Sequence, residues 1–371
     1  MSIKRNILES CIYCVSRIYD CFSKKPKSLN SFFILRNNGI GDLLCTTPLF
    51  EALKINYPTA KVYVGIGDWH QDILDGNPYI DQIIRINAPW HNQFTGALSI
   101  IKIIRYLFLS AEVKRITQLK ISCGIDVLGS QWGSLLLIKG KVKTRLGVKG
   151  YAGGHAGCEK FIHFDPQTHA GIASLKFLNE LPNKNLSLPN HKPKIYLTEE
   201  EKGFAKKQWQ KESFKILIAP GGSFNEKCWP VEYFLILAEE IIKQKSFQLI
   251  IVGGPEDEKI CKQICDKVKR CKNLCNRTTL RESFSIVAAS DLLISNSSVL
   301  MHVAGAFETK NLVLLGNWYD SANLHQKQWG YNNSKIIGKE SYENIFDLCS
   351  PMEAMEMVRK FHLLTTSAKY K

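Results

Sequence analysis

Residues 35–44, "LRNNGIGDLL", decide the fold. The apolar run "FFIL" leads into this stretch, and an apolar-periodic segment follows it. Gly39, Gly41 and Asp42 therefore stand where a buried strand turns into a helix. Glycines there permit a tight approach or a positive φ, and a carboxylate at a helix start is in the simplest interpretation an N-cap. The spacing is not G-x-G-x-x-G, so the stretch gives only weak support to a nicotinamide cofactor.

Strands and helices alternate along the whole chain. The predicted strands are apolar without period-2 alternation, which is typical of parallel sheets covered on both faces. One helix is predicted over 94–112, "FTGALSIIKIIRYLFLSAE". The Pro- and Asn-rich stretch "NELPNKNLSLPNHKPK" interrupts the alternation, and 371 residues exceed what one core usually supports. We therefore predict an α/β protein of two Rossmann-like, doubly wound domains facing a cleft, with the site at the carboxyl ends of the strands.

The predicted segments are a basic amphipathic N-terminal segment at 1–30, a first domain at 31–185, a linker at 186–197, a second domain at 198–335, and a C-terminal segment at 336–371 with a helix that could pack back on the first domain.

The chain is strongly basic, with a net charge of +15. Such a charge favours acidic partners, namely nucleic acid, an anionic membrane or phosphorylated substrates. No nucleic-acid-binding signature occurs, so a nucleic-acid partner is not predicted. No span reaches the ~18 apolar residues of a membrane-crossing helix. Arg17 and Asp20 interrupt the apolar part of the N-terminus, which makes it a poor signal peptide.

The N-terminal segment has the pattern of an amphipathic helix. Basic residues surround an apolar stripe of Ile3, Ile7, Cys11, Cys14, Val15, Ile18 and Phe22. Two interpretations stay open, because periodicity alone cannot separate them. The helix could lie on an anionic membrane surface, or it could pack on the protein's own surface.

The 12 cysteines are spread along the chain, as expected for free thiols of a reducing compartment. Cys261, Cys265, Cys271 and Cys275 are spaced more widely than most structural zinc knuckles. The sequence also lacks an Asp-x-Asp metal motif. We therefore predict no metal site.

A glycine-rich loop follows a predicted strand at 219–234, "APGGSFNEKCWPVEYF". Exposed backbone amides at Gly221 and Gly222, with Ser223 and Lys227, could hold a diphosphate. The alternative is an ordinary strand-to-helix turn with a solvated lysine.

A second polar loop lies at 292–307, "LLISNSSVLMHVAGAF". Ser297 and Ser298 stand at a predicted helix N-terminus, where backbone amides and the helix dipole attract anions. His302, one turn later, is either a site residue or a histidine packed beside Met301.

Taken in order, these motifs resemble glycosyltransferase family 9, the heptosyltransferases. The resemblance runs through "ILRNNGIGDLLCTTPLFEALKINYPTAKVYV", "DVLGSQWGSLLL", "RLGV", "HAGIASLKFLNEL", "PGGSFNEKCWPVEYFLILAEEI", "IIVGGPEDE" and "ASDLLISNSSVLMHVAGAF". It implies the two-domain GT-B fold and inverting, metal-independent transfer of heptose from ADP-heptose to the lipopolysaccharide inner core. The first domain would bind the acceptor and the second the nucleotide sugar.

The resemblance also implies roles for single residues. Asp42 would be the general base, with Gly39 and Gly41 letting the acceptor sugar approach. The implied donor-binding residues are Gly221, Gly222, Ser223, Lys227 on the phosphate, Glu258 (or Glu256) at the ribose, Ser297, Ser298 and His302. The basic run at 139–149, including Lys143 and Arg145, suggests an anionic lipid-linked saccharide as acceptor, although a solvated charge run is the alternative.

The chain departs from the family at the donor loop. The family's Asp-Thr-Gly reads Ser297-Ser298-Val299, and "GNWYDS" replaces Gly-Pro-Thr. A valine does not readily take a positive φ, so the loop must differ if the family glycine needs one. We expect a cytoplasmic glycosyltransferase at the inner face of the inner membrane, with a donor other than ADP-heptose preferred. The alternatives are a non-catalytic glycan- or nucleotide-binding relic and a sugar-nucleotide epimerase.

Overall fold

A computed structural model describes residues 3–92, 98–182 and 186–369, without the side chains of 3–5, 71 and 366–369. The chain divides into two compact units, residues 1–194 and 195–371. The division falls inside the predicted linker.

The first unit is built on a six-stranded sheet. Its strands are β1 (Ser31–Leu35), β2 (Lys61–Ile66), β3 (Gln82–Arg85), β4 (Cys123–Asp126), β5 (Thr144–Lys149) and β6 (Lys160–His163). They lie in the order β3-β2-β1-β4-β5-β6, with every pairing parallel. All five residues of β1 are buried, as an apolar run without alternation predicts.

The helices of the first unit are α1 (Ile3–Phe22), α2 (Ile40–Asn56), α3 (Ile100–Leu109), α4 (Ala111–Leu119), α5 (Gln131–Lys139) and α6 (Ala170–Leu175). The helix predicted over 94–112 is interrupted at Ser110, whose side chain accepts the Glu112 amide and caps α4. Residues 94–97 of that prediction lie outside the described residues, as do residues 183–185 before the linker.

The second unit repeats the arrangement of the first. Its strands are β7 (Phe214–Ala219), β8 (Phe247–Ile251), β9 (Cys271–Asn273), β10 (Leu292–Ser295), β11 (Lys310–Leu314) and β12 (Ser334–Ile337). They form a parallel six-stranded sheet in the order β12-β11-β10-β7-β8-β9. Its helices are α7 (Glu199–Gln208), α8 (Val231–Lys243), α9 (Glu258–Lys267), α10 (Leu280–Ala288), α11 (Val299–Phe307), α12 (Ala322–Trp329) and α13 (Pro351–Lys369).

The last helix, α13, is part of the second unit by its contacts. Met355 and Val358 are buried in the same core as the strands of that unit. The His362 ring meets the Phe214 ring with centroids 4.8 Å apart, and Lys310 Nζ donates to the Phe361 carbonyl at 3.2 Å. These contacts join α13 to the second sheet, whereas the sequence left open that it could pack on the first domain.

The first helix, α1, is joined to the first unit along one face. Ile12 and Ser16 are buried there, 1% and 3% exposed. Arg145 donates to Asp20 at 2.7 Å and to Ser16 at 3.1 Å. Among the described residues no helix is both long and apolar enough to cross a membrane.

The direction in which successive strands are added reverses at corresponding points of the two sheets. The strand order turns between β1 and β4 in the first unit and between β7 and β10 in the second. Loops at the carboxyl ends of such strands are where ligands bind in open α/β sheets. The topology therefore predicts binding sites at the loops after β1 and β4 and after β7 and β10.

Candidate active site

Asp42 lies in the loop and first helical turn that follow β1. The helix N-cap is Gly39, and the Asp42 carboxylate does not cap the helix. It accepts instead from Arg36 Nη2 and from Asn38 Nδ2, both at 2.8 Å. The Asp42 side chain is 29% exposed. The N-cap interpretation is therefore wrong, and the carboxylate is held by two donors while it remains open to solvent.

Position 39 requires glycine because the Asp42 carboxylate lies close to its backbone, and not because of a positive φ. Its φ is −89°, which any residue adopts. A Cβ at this position would lie 2.6 Å from Asp42 Oδ2, which is too close for any real contact. Gly41 lies within the first turn of α2. The glycine at 39 thus leaves room for the carboxylate.

Two histidines in the next loops face the same carboxylate. His70 follows β2, and burial lowers its pKa to about 4, opposed by the Asn38 carbonyl and by Asp42. His91 follows β3, and its pKa is lowered by burial and by Arg36. Both rings are therefore neutral at physiological pH, and the charge beside Asp42 comes from Arg36. Sequence inspection missed both histidines because each lies in a separate loop.

Several buried polar atoms around Asp42 have no hydrogen-bond partner in the part of the chain that the structure describes. They are Arg36 Nε, Asn37 Nδ2 and Asn38 Oδ1. Buried polar groups are almost always bonded, so water or a ligand would complete the hydrogen bonds of these atoms.

Asp126 is a second carboxylate near Arg36, but it holds a loop in place. It ends β4 beside Leu35 in register, and its Oδ2 accepts the Ser130 amide at 2.8 Å. Burial raises its pKa to about 7, opposed by the amides of Ser130 and Gly129. Because it is 1% exposed and bound to backbone amides, it fixes the loop after β4.

The two basic residues predicted to bind the acceptor lie away from Asp42. Arg145 is fully buried, and its guanidinium bonds to Ser16, Asp20 and the carbonyls of Val142 and Gly157. Lys143 precedes β5, at the amino edge of the sheet, opposite the edge where the Asp42 loop leaves β1. We therefore correct this expectation: Arg145 anchors α1, and neither side chain joins the Asp42 site.

In the second unit, the predicted diphosphate loop follows β7. Ser223 is exposed, and Lys227 ends a short 3-10 turn with its ammonium 4.8 Å from the centre of the Phe224 ring. Gly221 is required by close approach, because a Cβ there would lie 2.0 Å from Asp257 Oδ1. Gly222 is exposed beside Cys228.

Asn296 ties this loop to the one after β10. Its side chain donates to the Pro220 carbonyl at 2.6 Å and accepts the Trp229 amide at 2.8 Å. It is 1% exposed. Nothing in the sequence predicts this role beyond the position of Asn296 next to Ser297.

The loop after β11 is also tied to the Lys227 turn. The Gly316 amide donates to the Lys227 carbonyl at 3.2 Å, and the Trp318 amide donates to the Glu226 carbonyl at 2.8 Å. A Cβ at Gly316 would lie 2.3 Å from the Cys228 carbonyl oxygen. The departure "GNWYDS" therefore begins on a glycine that this close approach requires.

Ser297, where the family carries aspartate, is paired with a neutral histidine. Its Oγ lies 2.8 Å from His325 Nε2, and the Tyr319 ring lies 4.6 Å from the His325 ring. Burial, with His302 and Lys227 nearby, lowers the pKa of His325 to about 3. The bonds of Asn296 to Pro220 and Trp229 bring the two predicted donor loops together, and the charge of Lys227 contributes to the lowered pKa of His325. Sequence inspection missed His325 because it lies on α12, beyond the recognised motifs.

The other predicted donor residues lie at the edges of this group. Ser298 is the N-cap of α11 without a side-chain cap, and Val299 is the first helical residue, so the loop avoids a positive φ there. His302 Nδ1 lies 2.9 Å from the Tyr331 hydroxyl in a buried position, as the packed-histidine interpretation predicts. Glu258 begins α9 and is exposed.

Across the described ranges, no group of three or more histidine, cysteine or acidic side chains is arranged to hold a metal ion. Within the cysteine cluster, the sulfur atoms of Cys265 and Cys271 lie 2.9 Å apart. Cys261 and Cys275 are buried in the core of the second unit.

Two parallel sheets of identical strand order, each with polar loops at its carboxyl edge, define the two-domain α/β class that includes the GT-B glycosyltransferases. The sequence model of glycosyltransferase family 9 (heptosyltransferase) matches residues 130–344, more than half of the chain. The chain belongs to this family and is a glycosyltransferase, as the motifs predicted.

Individual relatives extend the match. The chain is 22% identical to lipooligosaccharide heptosyltransferase 2 of Haemophilus influenzae, over 77% of this chain and 83% of the relative. It is 25% identical to lipopolysaccharide heptosyltransferase 2 of Salmonella typhimurium, over 75% and 80%. The structure of E. coli ADP-heptose lps heptosyltransferase II aligns with a TM-score of 0.69 at 18% identity, over 91% of this chain and 99% of that one. The structural likeness bears out the predicted fold.

Proposed function

We propose that this enzyme transfers heptose or a related sugar, with inversion and without a metal ion, from a nucleotide-diphosphate donor to a lipopolysaccharide-core or other surface-glycan acceptor. The family assignment supports the reaction class. The names of the relatives, which are lipopolysaccharide or lipooligosaccharide heptosyltransferases, support the sugar and the acceptor. The name of the E. coli structure supports a nucleotide-linked heptose as donor.

The environment of Asp42 is the observation that carries the proposal. An inverting transfer needs one base that takes the proton of the acceptor hydroxyl while its oxygen attacks the anomeric carbon. The Asp42 carboxylate is partly exposed and is oriented by Arg36 and Asn38. The unpartnered polar atoms beside it would bind neighbouring hydroxyls and fix the acceptor in place.

The departing diphosphate would be stabilised by the second unit. The bond between the anomeric carbon and the diphosphate oxygen breaks as the new bond forms, so negative charge develops on the phosphate. Lys227 and the backbone amides of the loops after β7 and β10 would meet that charge. We expect transfer to persist in excess EDTA, and restoration of lost activity by Mg²⁺ or Mn²⁺ would contradict this part of the proposal.

The acceptor would be an anionic lipid-linked saccharide. We place the enzyme in the cytoplasm, in peripheral contact with the inner face of the inner membrane, because such an acceptor is held in a bilayer. The net charge of +15 suits an anionic membrane and a phosphorylated acceptor.

The test is Asp42→Asn. Asparagine keeps the size of the side chain but cannot take a proton, so we expect turnover to fall ~10²–10⁴-fold. Donor affinity, measured by calorimetry, should stay within about twofold, because the base acts on the acceptor. Asp266→Asn, an exposed carboxylate paired with Lys262 on α9, is the matched control.

Three results would contradict the proposal. Near-wild-type turnover of Asp42→Asn would remove Asp42 from the mechanism. A wild-type protein that binds nucleotide sugars but transfers none would be the non-catalytic relic. Interconversion of the free sugar nucleotide without an acceptor would identify an epimerase.

A further inference from the structure

Two helices of the first unit expose large apolar side chains. On α1 these are Ile7, Val15, Ile18 and Phe22, and on α3 they are Ile101, Ile104, Phe108 and Leu109. Phe22 is 87% exposed and Ile101 is 73% exposed. Single exposed apolar residues are ordinary, but stripes at helical spacing on two helices indicate a surface that something covers.

Neither stripe is needed to hold its helix on the unit. On α1 the opposite face carries the buried Ile12 and the bonds from Arg145. On α3 the buried residues are Ile103 and Leu107. Each helix therefore has two apolar faces. One narrow face packs on the protein, and the other is exposed to solvent.

The two helices share a neighbour in the first unit. Both pack against α5, which lies between β4 and β5 in the chain. Lys139, the last residue of α5, places its ammonium 3.6 Å from the centre of the Phe108 ring. The helices α1 and α3 thus both contact one helix, and we call their exposed apolar stripes together the α1–α3 surface.

Exposed basic side chains lie on α1 and α3, in the segment after α1, and on α4, which follows α3. They include Arg17, Lys24, Lys27, Lys102, Arg105, Lys114 and Arg115. A groove of about 570 Å³ beside α3 is lined by Lys102 and Arg105 together with Asn87 and Pro89, which follow β3. The groove therefore reaches from the apolar stripe toward the carboxyl edge of the sheet, where the Asp42 loop also lies.

We infer that the α1–α3 surface docks on an anionic lipid bilayer. Apolar side chains would enter the boundary between headgroups and acyl chains, while the exposed lysines and arginines of these segments bind acidic headgroups. A second copy of the chain is a poorer occupant, because two such basic surfaces would repel each other. The inference rests on the peripheral membrane contact of the proposed function and assigns it to named residues.

The test uses the full chain and flotation with two kinds of vesicle, phosphatidylcholine alone and phosphatidylcholine mixed with phosphatidylglycerol. We expect binding to the anionic vesicles only, weakening as salt rises. Ile101→Ser with Ile104→Ser, and separately Ile18→Ser with Phe22→Ser, should each lower binding by at least about tenfold. Lys102→Gln with Arg105→Gln should lower it about 25-fold, on a scale of roughly fivefold per basic residue.

The matched control is Ile236→Ser with Met352→Ser, two exposed apolar residues of the second unit, which should bind like the wild type. Melting temperatures confirm that each variant is folded. Equal binding to both vesicles, no binding, or loss with only one of the two helix variants would overturn the inference. So would a wild-type dimer that the serine variants convert to monomer. Vesicle binding needs neither donor nor acceptor, so its failure is distinct from failure of the transfer reaction.

Discussion

Asp42 and Lys227 occupy corresponding places in two sheets of the same topology. Each follows the central strand from which its sheet is wound, β1 in one unit and β7 in the other. The side chains of Asp42 and Lys227 carry opposite charges, each suited to a different half of a group transfer. A carboxylate can accept the proton of the attacking hydroxyl, and an ammonium can stabilise the leaving phosphate.

Lys227→Ala tests the donor half. If the ammonium meets the donor diphosphate, its removal should weaken donor binding by ~1.5–3 kcal/mol, the scale of a hydrogen bond to a charged group. Calorimetry with the nucleotide sugar measures this, and Lys262→Ala, an exposed lysine paired with Asp266, is the control. Unchanged affinity would show that Lys227 is merely solvated.

The buried His325 makes the stability of the second unit depend on pH. Its pKa in the folded protein is about 3, below the ordinary value of 6.5, because burial disfavours the charged ring. Between these pH values the unfolded chain binds a proton at His325 that the folded protein does not bind. The contribution of His325 to the free energy of unfolding is therefore fully present above pH 6.5 and is lost as pH falls toward 3. At pH 5 the loss from this group is ~2 kcal/mol.

The measurement is thermal unfolding of the wild type and His325→Asn at pH 7 and pH 5. Asparagine does not titrate, so the variant should lose less stability on acidification than the wild type does. Equal losses would show that His325 titrates normally in the folded protein.

At the scale of elements, burial explains which parts of the fold the sequence predicts. The fully buried strands β1 and β10 can be recognised in the sequence as apolar runs. The edge strands β6, β9 and β12 each have at most one buried residue, and the sequence did not predict them as strands. The edge strand β3 is as exposed, but its isoleucines at 83 and 84, with those at 80 and 86 beside them, provide an apolar run that did predict it. The break between α3 and α4 depends on the single capping hydroxyl of Ser110, which a continuous apolar pattern hides.

The candidate site was predictable only where one loop carries the whole signal. The stretch around Asp42 contains both of its hydrogen-bonding partners, Arg36 and Asn38, within seven consecutive residues. His70 and His325 join the sites only because parallel strands bring separate loops to one edge. Arg145 shows the opposite case, since nothing in a basic run marks the distant carboxylates of Asp20 and Glu159 that enclose it.

The attachment of α1 can be tested with two cations that share the same carboxylates. Arg145 is fully buried and Lys25 is 47% exposed, and both pair with Asp20 and Glu159. Removing the buried partner in Arg145→Met should destabilise the attachment by ~2–4 kcal/mol, because buried pairs are costly to break. Lys25→Met should cost about 1 kcal/mol or less.

Hydrogen exchange of the α1 amides measures both variants. Arg145→Met should speed their exchange ~30-fold or more, on the scale of the lost pair. Similar slow exchange in the two variants would mean that Ile12 and its neighbours hold α1 without the ion pairs.

At the scale of the whole molecule, the evidence for family membership and the evidence for the mechanism come mainly from different units. The family match covers residues 130–344, which include all of the second sheet but not the Asp42 loop. Relatives that align over three quarters of the chain extend the likeness into the first unit. The membership is therefore secure from the second unit, while the proposed base and the membrane surface depend on the first.

The last prediction concerns which donor the molecule prefers. The family resemblance puts an aspartate where this chain has Ser297, and the structure pairs that serine with neutral His325 and with Tyr319 nearby. A neutral hydroxyl binds sugar hydroxyls with other geometry than a carboxylate does. We therefore expect a nucleotide sugar other than ADP-heptose to be the better donor, and sites that read hydroxyls can discriminate by ~10⁴.

Side-by-side transfer assays with ADP-heptose and with hexose donors decide the matter. Ser297→Asp restores the family's carboxylate and should shift the preference toward ADP-heptose, whereas Ser246→Asp, at an exposed position of the same unit, should leave it unchanged. A clear wild-type preference for ADP-heptose would contradict the prediction. It would mean that the Ser297–His325 pair does the work of the lost carboxylate, and it would strengthen the assignment of heptose as the transferred sugar.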